Sequence, residues 1–316
     1  MKKLLFVPLL CILIFCASVV WFYQAAQPVS SNKEFTDFLI TKGSSGASVG
    51  TKLQKAGLIK NALAFKLYIQ FAGLSSKIQT GEFRLSPSFT LFEVVDQLQR
   101  GPVELWVTIP EGLRREEIAN KFMTGLSKDN LFTAQFLELT KDSEGMLFPD
   151  TYLFSKEATA GAIVTKMIST YKAKIANLTP KNNMSADELL VLASLIERET
   201  KKGDERPVVA GIILKRMEAG WPLQIDAAVQ YAVGTQKNWW PILTRDDLNS
   251  NSKYNTYKFQ GMPPGPISNP GITAIQAAYN PVESDYWYYI HDPQGVIHYG
   301  RTLEEHNQNI SKYLGK

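Results

Sequence analysis

The pattern of apolar and polar positions separates an uncharged N-terminal run from a long amphipathic remainder. The run extends from Leu4 to Tyr23 and follows Lys2 and Lys3. A helix of about 20 residues, rising about 1.5 Å per residue, spans the roughly 30 Å hydrocarbon core of a bilayer. The pattern therefore predicts a transmembrane anchor over 4–23, with residues 1–3 in the cytoplasm because basic residues mark that side. A cleaved signal peptide is the alternative, but it has a shorter apolar stretch and a small-residue cleavage site.

After a polar linker over 24–40, the pattern predicts a small α+β module over 41–101. Amphipathic spacing predicts helices here, one over Ala62–Phe71 and one that starts after Thr90 and stops at Gly101. Between them the segment IQTGEFRLSPSFT alternates apolar and polar residues like a short strand. The module contains no catalytic constellation, so we expect it to bind or position a ligand.

Beyond residue 101 the pattern predicts a larger α+β domain over 102–316. Helices over 160–175 and from Ser185 to about Lys201 precede a loop-rich last third that is dense in Trp and Tyr. Aromatic rings beside Asn, Gln and Asp in loops suit a carbohydrate groove, since the apolar face of a sugar stacks on a ring. Packing in a hydrophobic core explains the same residues equally well, and the pattern leaves both open.

The segment SADELLVLASLIERET, residues 185–200, predicts a helix that is apolar on nearly every side. Its Ser-x-x-Glu start is typical of a capping box. A projection at about 100° per residue places Leu190, Ser194 and Glu197 on one side. Glu199 projects about 200° from Glu197, nearer the polar side of the helix.

Glu197 is therefore the predicted catalytic residue of a cleft lined by this helix. Burial disfavours the charged form, so we expect the pKa of Glu197 to lie above the reference value of about 4.3. A carboxyl that keeps its proton near neutral pH can act as a general acid. The alternative is a surface ion pair with Arg198, Lys201 or Arg206, because charged residues usually face solvent.

Polar and aromatic residues downstream of this helix are of the kinds that hold sugar amides and hydroxyls. The predicted substrate-binding residues are Gln224, Asp226, Tyr254, Asn255, Tyr257, Pro264 and Gly265. Asp226 is open to two further interpretations, a second catalytic carboxylate or the N-cap of the next helix. The Pro-Gly loop over 261–271 is either a groove wall or a structural turn.

The numbers of charged residues, cysteines and histidines exclude several classes of function. The 34 basic and 30 acidic residues give a net charge of +4 without a basic stripe, so we expect no nucleic-acid partner. Cys11 and Cys16 both lie within the predicted anchor, which leaves the exported part without disulfides or thiol chemistry. The three histidines have no close Cys or His partner and no P-loop is present, so we expect neither a metal nor a cofactor.

From about Val103 to the C-terminus, the chain resembles the endolytic murein transglycosylase family (MltG, or YceG-like) in several segments that follow in the same order and spacing. The region 41–101 resembles the LysM-like subdomain of the same family. The segments that carry the resemblance are EGMLFPDTY, LASLIERET, LQIDAAVQYAVG, YNTYKFQGMPPGPISNPG and HNQNISKYL.

The resemblance implies a membrane-tethered enzyme that cuts nascent peptidoglycan strands internally. Such an enzyme cleaves the β-1,4 bond between N-acetylmuramic acid and N-acetylglucosamine and leaves a 1,6-anhydro end on the muramic acid. The first glutamate of the family's E-[KR]-E-T segment, here Glu197, would be the catalytic acid. The resemblance also implies an extracytoplasmic catalytic domain and association with peptidoglycan synthases of the penicillin-binding type.

Two other functions compete with this interpretation. A catalytically silent, anchored scaffold that binds the wall would also use aromatic loops and a LysM-like module, but it has no use for a buried acid. A soluble biosynthetic lyase is disfavoured, because the predicted anchor would hold the domain away from cytosolic metabolites.

Overall fold

The amphipathic runs of the sequence form a mixed α+β fold, as predicted. In the computed structural model, which describes residues 6–101 and 103–315, twelve α-helices and six strands are present. The chain divides into two units, Met1–Val107 with Leu153–Glu157, and Thr108–Tyr152 with Ala158–Lys316. The catalytic residue predicted from sequence belongs to the second unit.

The first unit contains four helices and an antiparallel arrangement of short strands. Strands β1 and β2 pair with Phe38 opposite Phe83, and both rings are buried in the unit's core. The sheet has the strand order β1-β2-β3-β4. The elements are α1 (Phe6–Ala25), β1 (Thr36–Ile40), α2 (Gly46–Lys55), α3 (Ala62–Phe71), β2 (Gly81–Leu85), α4 (Leu91–Arg100), β3 (Glu104–Thr108) and β4 (Thr151–Ser155).

Helices α3 and α4 of this unit begin and end where the sequence predicts. Helix α3 has the predicted bounds, and α4 has a capping box in which Thr90 and Glu93 bond each other's backbone N–H groups. Strand β1 lies in the segment that we predicted to be a linker. Its apolar residues Phe38 and Ile40 alternate with exposed ones, so the module begins before residue 41.

The predicted anchor over 4–23 overlaps α1 and begins outside the described residues. Within 6–101 and 103–315, no helix combines the length and apolar character that crossing a membrane requires.

The second unit is built mainly of helices, with one two-stranded hairpin near its C-terminal end. Strands β5 and β6 pair antiparallel, and a single 3₁₀ turn covers Asp247–Asn249. The elements are α5 (Arg115–Gly125), α6 (Asn130–Leu139), α7 (Ala160–Ile175), α8 (Ala186–Glu199), α9 (Arg206–Glu218), α10 (Asp226–Val233), α11 (Ile272–Tyr279), β5 (Tyr288–His291), β6 (Ile297–Gly300) and α12 (Leu303–Leu314).

Helix α8 forms the centre of the second unit's core. Every residue over 189–196 is buried, and α9, α10 and α11 pack around the helix. The predicted capping box is present, because the Ser185 hydroxyl accepts from the Glu188 N–H and the Glu188 carboxylate accepts from the Ser185 N–H at 2.8 Å. Burial of each large aliphatic side chain stabilises the fold by about 1.5–3 kcal/mol, so the core holds the middle of α8 in place.

Close packing of α9 depends on Gly211. A Cβ atom built there would lie 2.0 Å from the backbone oxygen of Val282. We expect Gly211→Ala to destabilise the second unit by about 1–3 kcal/mol, the range of overpacked cores. Urea denaturation measures the change. Gly161→Ala in α7 is the matched control, because its Cβ would meet atoms only at 4.0 Å; equal midpoints for the two variants would contradict the packing.

Candidate active site

Glu197 lies in the last turn of α8, and its carboxylate is held from two directions. Its side chain is 6% exposed. Oε2 accepts a hydrogen bond from the Gly271 N–H at 2.9 Å, at the start of α11. Oε1 accepts from Nη2 of Arg206 at 2.6 Å. The carboxyl group therefore has one fixed orientation.

The surroundings of this carboxyl act on its pKa in opposite directions. Burial raises the pKa of Glu197, and the neighbouring Glu111 carboxylate adds to the rise. The Gly271 N–H, Arg206 and Arg198 lower it, but the net direction is upward. The direction agrees with the expectation from sequence that a buried acid retains its proton to higher pH.

Arg206 forms a buried ion pair with Glu197, whereas the alternative that we considered was an ion pair on the surface. The pair does form, but the arginine side chain is only 8% exposed. Its Nε donates to the Thr200 hydroxyl at 3.3 Å and its Nη1 donates to the Thr273 hydroxyl. Glu111 lies 3.6 Å from Nη2. A guanidinium with this many partners fixes α8 against α11.

The loop over 261–271 runs along the face of α8 that the helical projection identified. The Ser194 hydroxyl accepts from the Ile267 N–H at 3.0 Å, and the Ser268 hydroxyl donates to the Ser194 carbonyl at 3.2 Å. Farther along, Gly271 reaches Glu197. Leu190, Ser194 and Glu197 thus share one face, as predicted, and the loop is bonded to that face.

Our placement of Glu199 on the polar side of the helix is wrong. The Tyr289 hydroxyl on β5 donates to its Oε2 at 2.8 Å, and burial raises the pKa of Glu199. The hairpin that covers this side comes from a segment about 90 residues away in the chain. A helical projection contains no information about such a distant partner.

Asp226 and Tyr257 are brought together, on the side of Glu199. The Tyr257 hydroxyl donates to Oδ1 of Asp226, and burial together with this carboxylate raises the pKa of Tyr257. The Asp226 charge also raises the pKa of Glu199. Asp226 is the first residue of α10, whose N-cap is Ile225. The N-cap alternative is therefore wrong, and the carboxylate instead holds a tyrosine.

Asn255 lies in the protein interior and has its hydrogen-bonding groups engaged. It is 0% exposed. Its Nδ2 donates to the carbonyl oxygens of Leu248 and Ser250 at 2.9 Å, and its Oδ1 accepts from the Tyr257 N–H. Such an amide stabilises its own loop and has no surface for a sugar. The sequence pattern identified a polar residue here but not its burial.

Gln224 is exposed, and its backbone has a positive φ of 54°. This conformation is uncommon for a residue with a Cβ atom. Its N–H donates to the Thr256 carbonyl at 3.1 Å, which holds the strained turn in place. Its side chain is exposed, and its role in substrate binding stays a prediction.

Tyr254, Pro264 and Gly265, three more of the predicted residues, line one cavity of about 480 Å³. The same cavity contains Glu144, which sequence analysis missed as a site residue. Burial raises the pKa of Glu144 to about 7, and the Glu116 charge adds to the rise. Glu144 is the first residue of the segment EGMLFPDTY. Its position before a glycine and an apolar run is the sequence feature that could have identified it as a candidate.

Several of the aromatic residues stack on buried or half-buried cations. The guanidinium of Arg198 lies 3.6 Å from the Trp240 ring centroid. The guanidinium of Arg114 lies 4.1 Å from the ring of Tyr231 and 4.6 Å from that of Trp239. Cation–π contacts of this kind stabilise by about 0.5–2 kcal/mol. These rings therefore have a structural role, whether or not one face also meets a ligand.

The raised pKa of Glu144 gives the folding stability a pH dependence. Between the ordinary carboxyl pKa of 4.5 and the folded value of about 7, the unfolded chain has released a proton that the folded protein retains. This stabilising contribution is therefore complete below pH 4.5 and lost as the pH rises to 7. Wild type should lose about 3 kcal/mol more than Glu144→Gln across this interval. Urea unfolding at pH 4 and 8, on either side of both pKa values, measures it, and parallel pH profiles would contradict it.

A model of the YceG-like family matches residues 38–312 of the chain. A Bacillus subtilis strain 168 protein named endolytic murein transglycosylase is 30% identical over 91% of this chain and 88% of its own length. A protein of the same name in Streptococcus pneumoniae strain D39 is 29% identical over 91% of this chain, and the chain spans only 60% of that relative.

A solved structure also matches the chain. The crystal structure of a YceG-like protein from Listeria monocytogenes has 30% sequence identity and a TM-score of 0.53, and the match covers 88% of this chain and 99% of that one. The family model includes α8 with Glu197, the Gly271 loop and the Glu144 cavity. The chain belongs to the YceG-like family.

Proposed function

We propose that this protein is an endolytic murein transglycosylase that cuts peptidoglycan glycan strands internally. The observation that carries the proposal is Glu197, a buried carboxyl whose pKa is raised and whose orientation is fixed by Gly271 and Arg206. The name shared by the relatives from Bacillus and Streptococcus supports the substrate class. The proposed cleaved bond is the β-1,4 link from N-acetylmuramic acid to N-acetylglucosamine, within nascent strands whose elongation it would terminate.

The proposed reaction needs one carboxyl group for two proton transfers. Protonated Glu197 gives its proton to the glycosidic oxygen as the bond from that oxygen to C1 of the muramic acid breaks. The resulting carboxylate then takes the proton of the C6 hydroxyl while O6 forms a bond to C1. Glu197 ends protonated again and no water is consumed. The nucleophile belongs to the same sugar, which gives it a high effective concentration.

The partners of Glu197 suit both halves of this cycle. Burial favours the neutral acid that starts it, whereas Arg206 and the Gly271 N–H stabilise the carboxylate formed after the first transfer. Each carboxyl oxygen accepts one of these hydrogen bonds. A carboxylate has about four acceptor sites, so each oxygen retains one for the substrate.

A hydrolytic reaction would need a second carboxylate beside the cleaved bond. Asp226 is the sequence candidate, but it holds Tyr257 and influences the pKa of Glu199. Glu111 is the carboxylate nearest Glu197, and it is paired with Arg206. We propose the anhydro-forming route because the relatives are named transglycosylases. Glu199 is the other buried carboxyl of α8, so it serves as the comparison for Glu197.

The remaining proposals rest on the sequence. We propose that residues 4–23 anchor the chain in the cytoplasmic membrane, with the rest on the extracytoplasmic side, because an uncharged run follows Lys2 and Lys3. The LysM-like character of residues 41–101 and an association with penicillin-binding-type synthases rest on the family resemblance alone.

The deciding experiment is mass spectrometry of uncrosslinked glycan strands incubated with the full-length chain. Wild type should release internal fragments that end in 1,6-anhydro-muramic acid. Glu197→Gln should slow their release by about 10²–10⁴-fold, the usual contribution of a general acid or base. Glu199→Gln, which changes a buried carboxyl of the same helix, should retain more activity because Glu199 bonds Tyr289 and not the loop at Gly271.

Each other outcome has a distinct meaning. Fragments with reducing ends would show hydrolysis and redirect attention to Asp226. Loss of activity in Glu199→Gln, with Glu197→Gln active, would exchange the roles of the two glutamates. Strands that bind but stay intact would favour the catalytically silent scaffold.

The pH–activity profile should depend on Arg206. Arg206 lowers the pKa of Glu197, so Arg206→Met should raise that pKa and move the upper limb of the kcat/KM profile to higher pH. Arg206→Lys retains the positive charge and should move the limb less. Arg198→Met is the control, because Arg198 has the smaller lowering effect. An unmoved limb in Arg206→Met would mean that a group other than Glu197 titrates there.

A further inference from the structure

The cavity of about 480 Å³ in the second unit has the size of a ligand pocket. One wall is apolar and comes from α8 and the Pro-Gly loop. The lining also includes two tyrosines and a buried carboxyl. The residues that define it are Glu144, Leu190, Tyr231, Tyr254, Pro264 and Gly265.

Glu144 is a buried carboxyl that lines this cavity and is held by several hydrogen bonds. Its Oε1 accepts from Nδ2 of Asn269 at 2.6 Å, its Oε2 accepts from the Tyr231 hydroxyl at 3.2 Å, and the Arg115 N–H is shared between the two oxygens. These three donors leave about one of the four acceptor sites of an ionised carboxylate for a ligand.

The Tyr254 hydroxyl is a second group available to a ligand. Among residues 6–101 and 103–315 it has no hydrogen-bond partner, although the ring packs 5.0 Å from that of Tyr231. A Cβ atom at Gly265 would lie 3.0 Å from this hydroxyl. Gly265 therefore keeps the space around the hydroxyl open.

Helix α8 and the loop over 261–271 both run from the cavity to Glu197. Leu190 lines the cavity and Glu197 follows seven residues later on one face of α8, which corresponds to about 10 Å along the helix. The loop makes the same connection, from Gly265 at the cavity to Gly271 at Glu197. A glycan strand that lies along α8 would reach both places.

The charges of the cavity indicate a neutral ligand. Two exposed carboxylates line it, those of Asp142 and Asp187, against one ammonium group on Lys141. Free carboxylates of a peptide stem would be repelled by this excess of negative charge. Sugar hydroxyl and acetamide N–H groups are neutral donors that suit carboxylate acceptors, and a sugar's apolar face suits tyrosine rings.

We propose that this cavity binds an N-acetylglucosamine residue of the glycan strand at a distance from the cleaved bond, with Tyr254 and Glu144 as its polar contacts. N-acetylglucosamine is the neutral sugar of the strand, whereas peptide-free N-acetylmuramic acid carries a lactyl carboxylate. The proposal rests on the proposed function, because it assigns a second contact to the same substrate.

The test is isothermal titration calorimetry of the full-length Glu197→Gln chain with a peptide-free N-acetylglucosamine/N-acetylmuramic acid oligosaccharide. Adding Tyr254→Phe removes one hydroxyl and keeps the ring, and should weaken binding about 3–10-fold, the usual effect of one hydrogen bond. Gly265→Ala should weaken it at least as much. Tyr313→Phe is the matched control and should leave the dissociation constant unchanged. Tyr313 lies in α12, and its ring stacks on His298 of β6.

Unchanged affinity for the oligosaccharide in both cavity variants would overturn the proposal. So would a result in which the two variants weaken binding of a free stem peptide and leave binding of the oligosaccharide unchanged. Failure of the proposed function has a separate signature. If wild type leaves strands intact yet Tyr254→Phe weakens oligosaccharide binding, the cavity is a sugar site on a protein that does not cleave. If wild type cleaves the strands and Tyr254→Phe leaves the affinity for the oligosaccharide unchanged, only the cavity proposal fails.

Discussion

The burial of α8 on every side over residues 189–196 is the constraint from which the site follows. A helix with no polar face is stable only inside a core, so the carboxylates in its last turn must find partners there or remain neutral. Glu197 is bonded by Arg206 and the Gly271 N–H, whereas Glu199 is bonded by Tyr289. Two glutamates two positions apart thus have different environments, and this difference is what permits one of them to have a specialised role.

The loop that contacts α8 is held by a buried amide. Asn269 is 0% exposed. Its side chain bonds the Leu147 N–H at 2.8 Å, the Leu113 carbonyl at 3.0 Å and the Glu144 carboxylate at 2.6 Å. Satisfied buried networks of this kind rigidify a fold, but losing one member leaves several groups unpaired. The network therefore fixes where Gly271 points and, through it, the orientation of Glu197.

Packing adds a steric condition to this network. Gly145 has a φ of 86°, and a Cβ atom there would lie 2.9 Å from Pro266. The segment that carries Glu144 can approach the loop only because this residue is a glycine. The carboxyl in the cavity and the carboxyl at the end of α8 are thus parts of one tightly packed arrangement of loop and helix.

The sequence by itself determined the elements and their local chemistry. The capping box at Ser185, the α3 bounds and the shared face of Leu190, Ser194 and Glu197 all follow from interactions within a few residues. Only the tertiary structure decided which distant groups meet. The partners of Glu197 and Glu199, the burial of Asn255 and the participation of Glu144 depend on contacts between segments far apart in the chain. Helical periodicity states where a side chain points along its own helix, but burial and pKa are set by whatever packs against it.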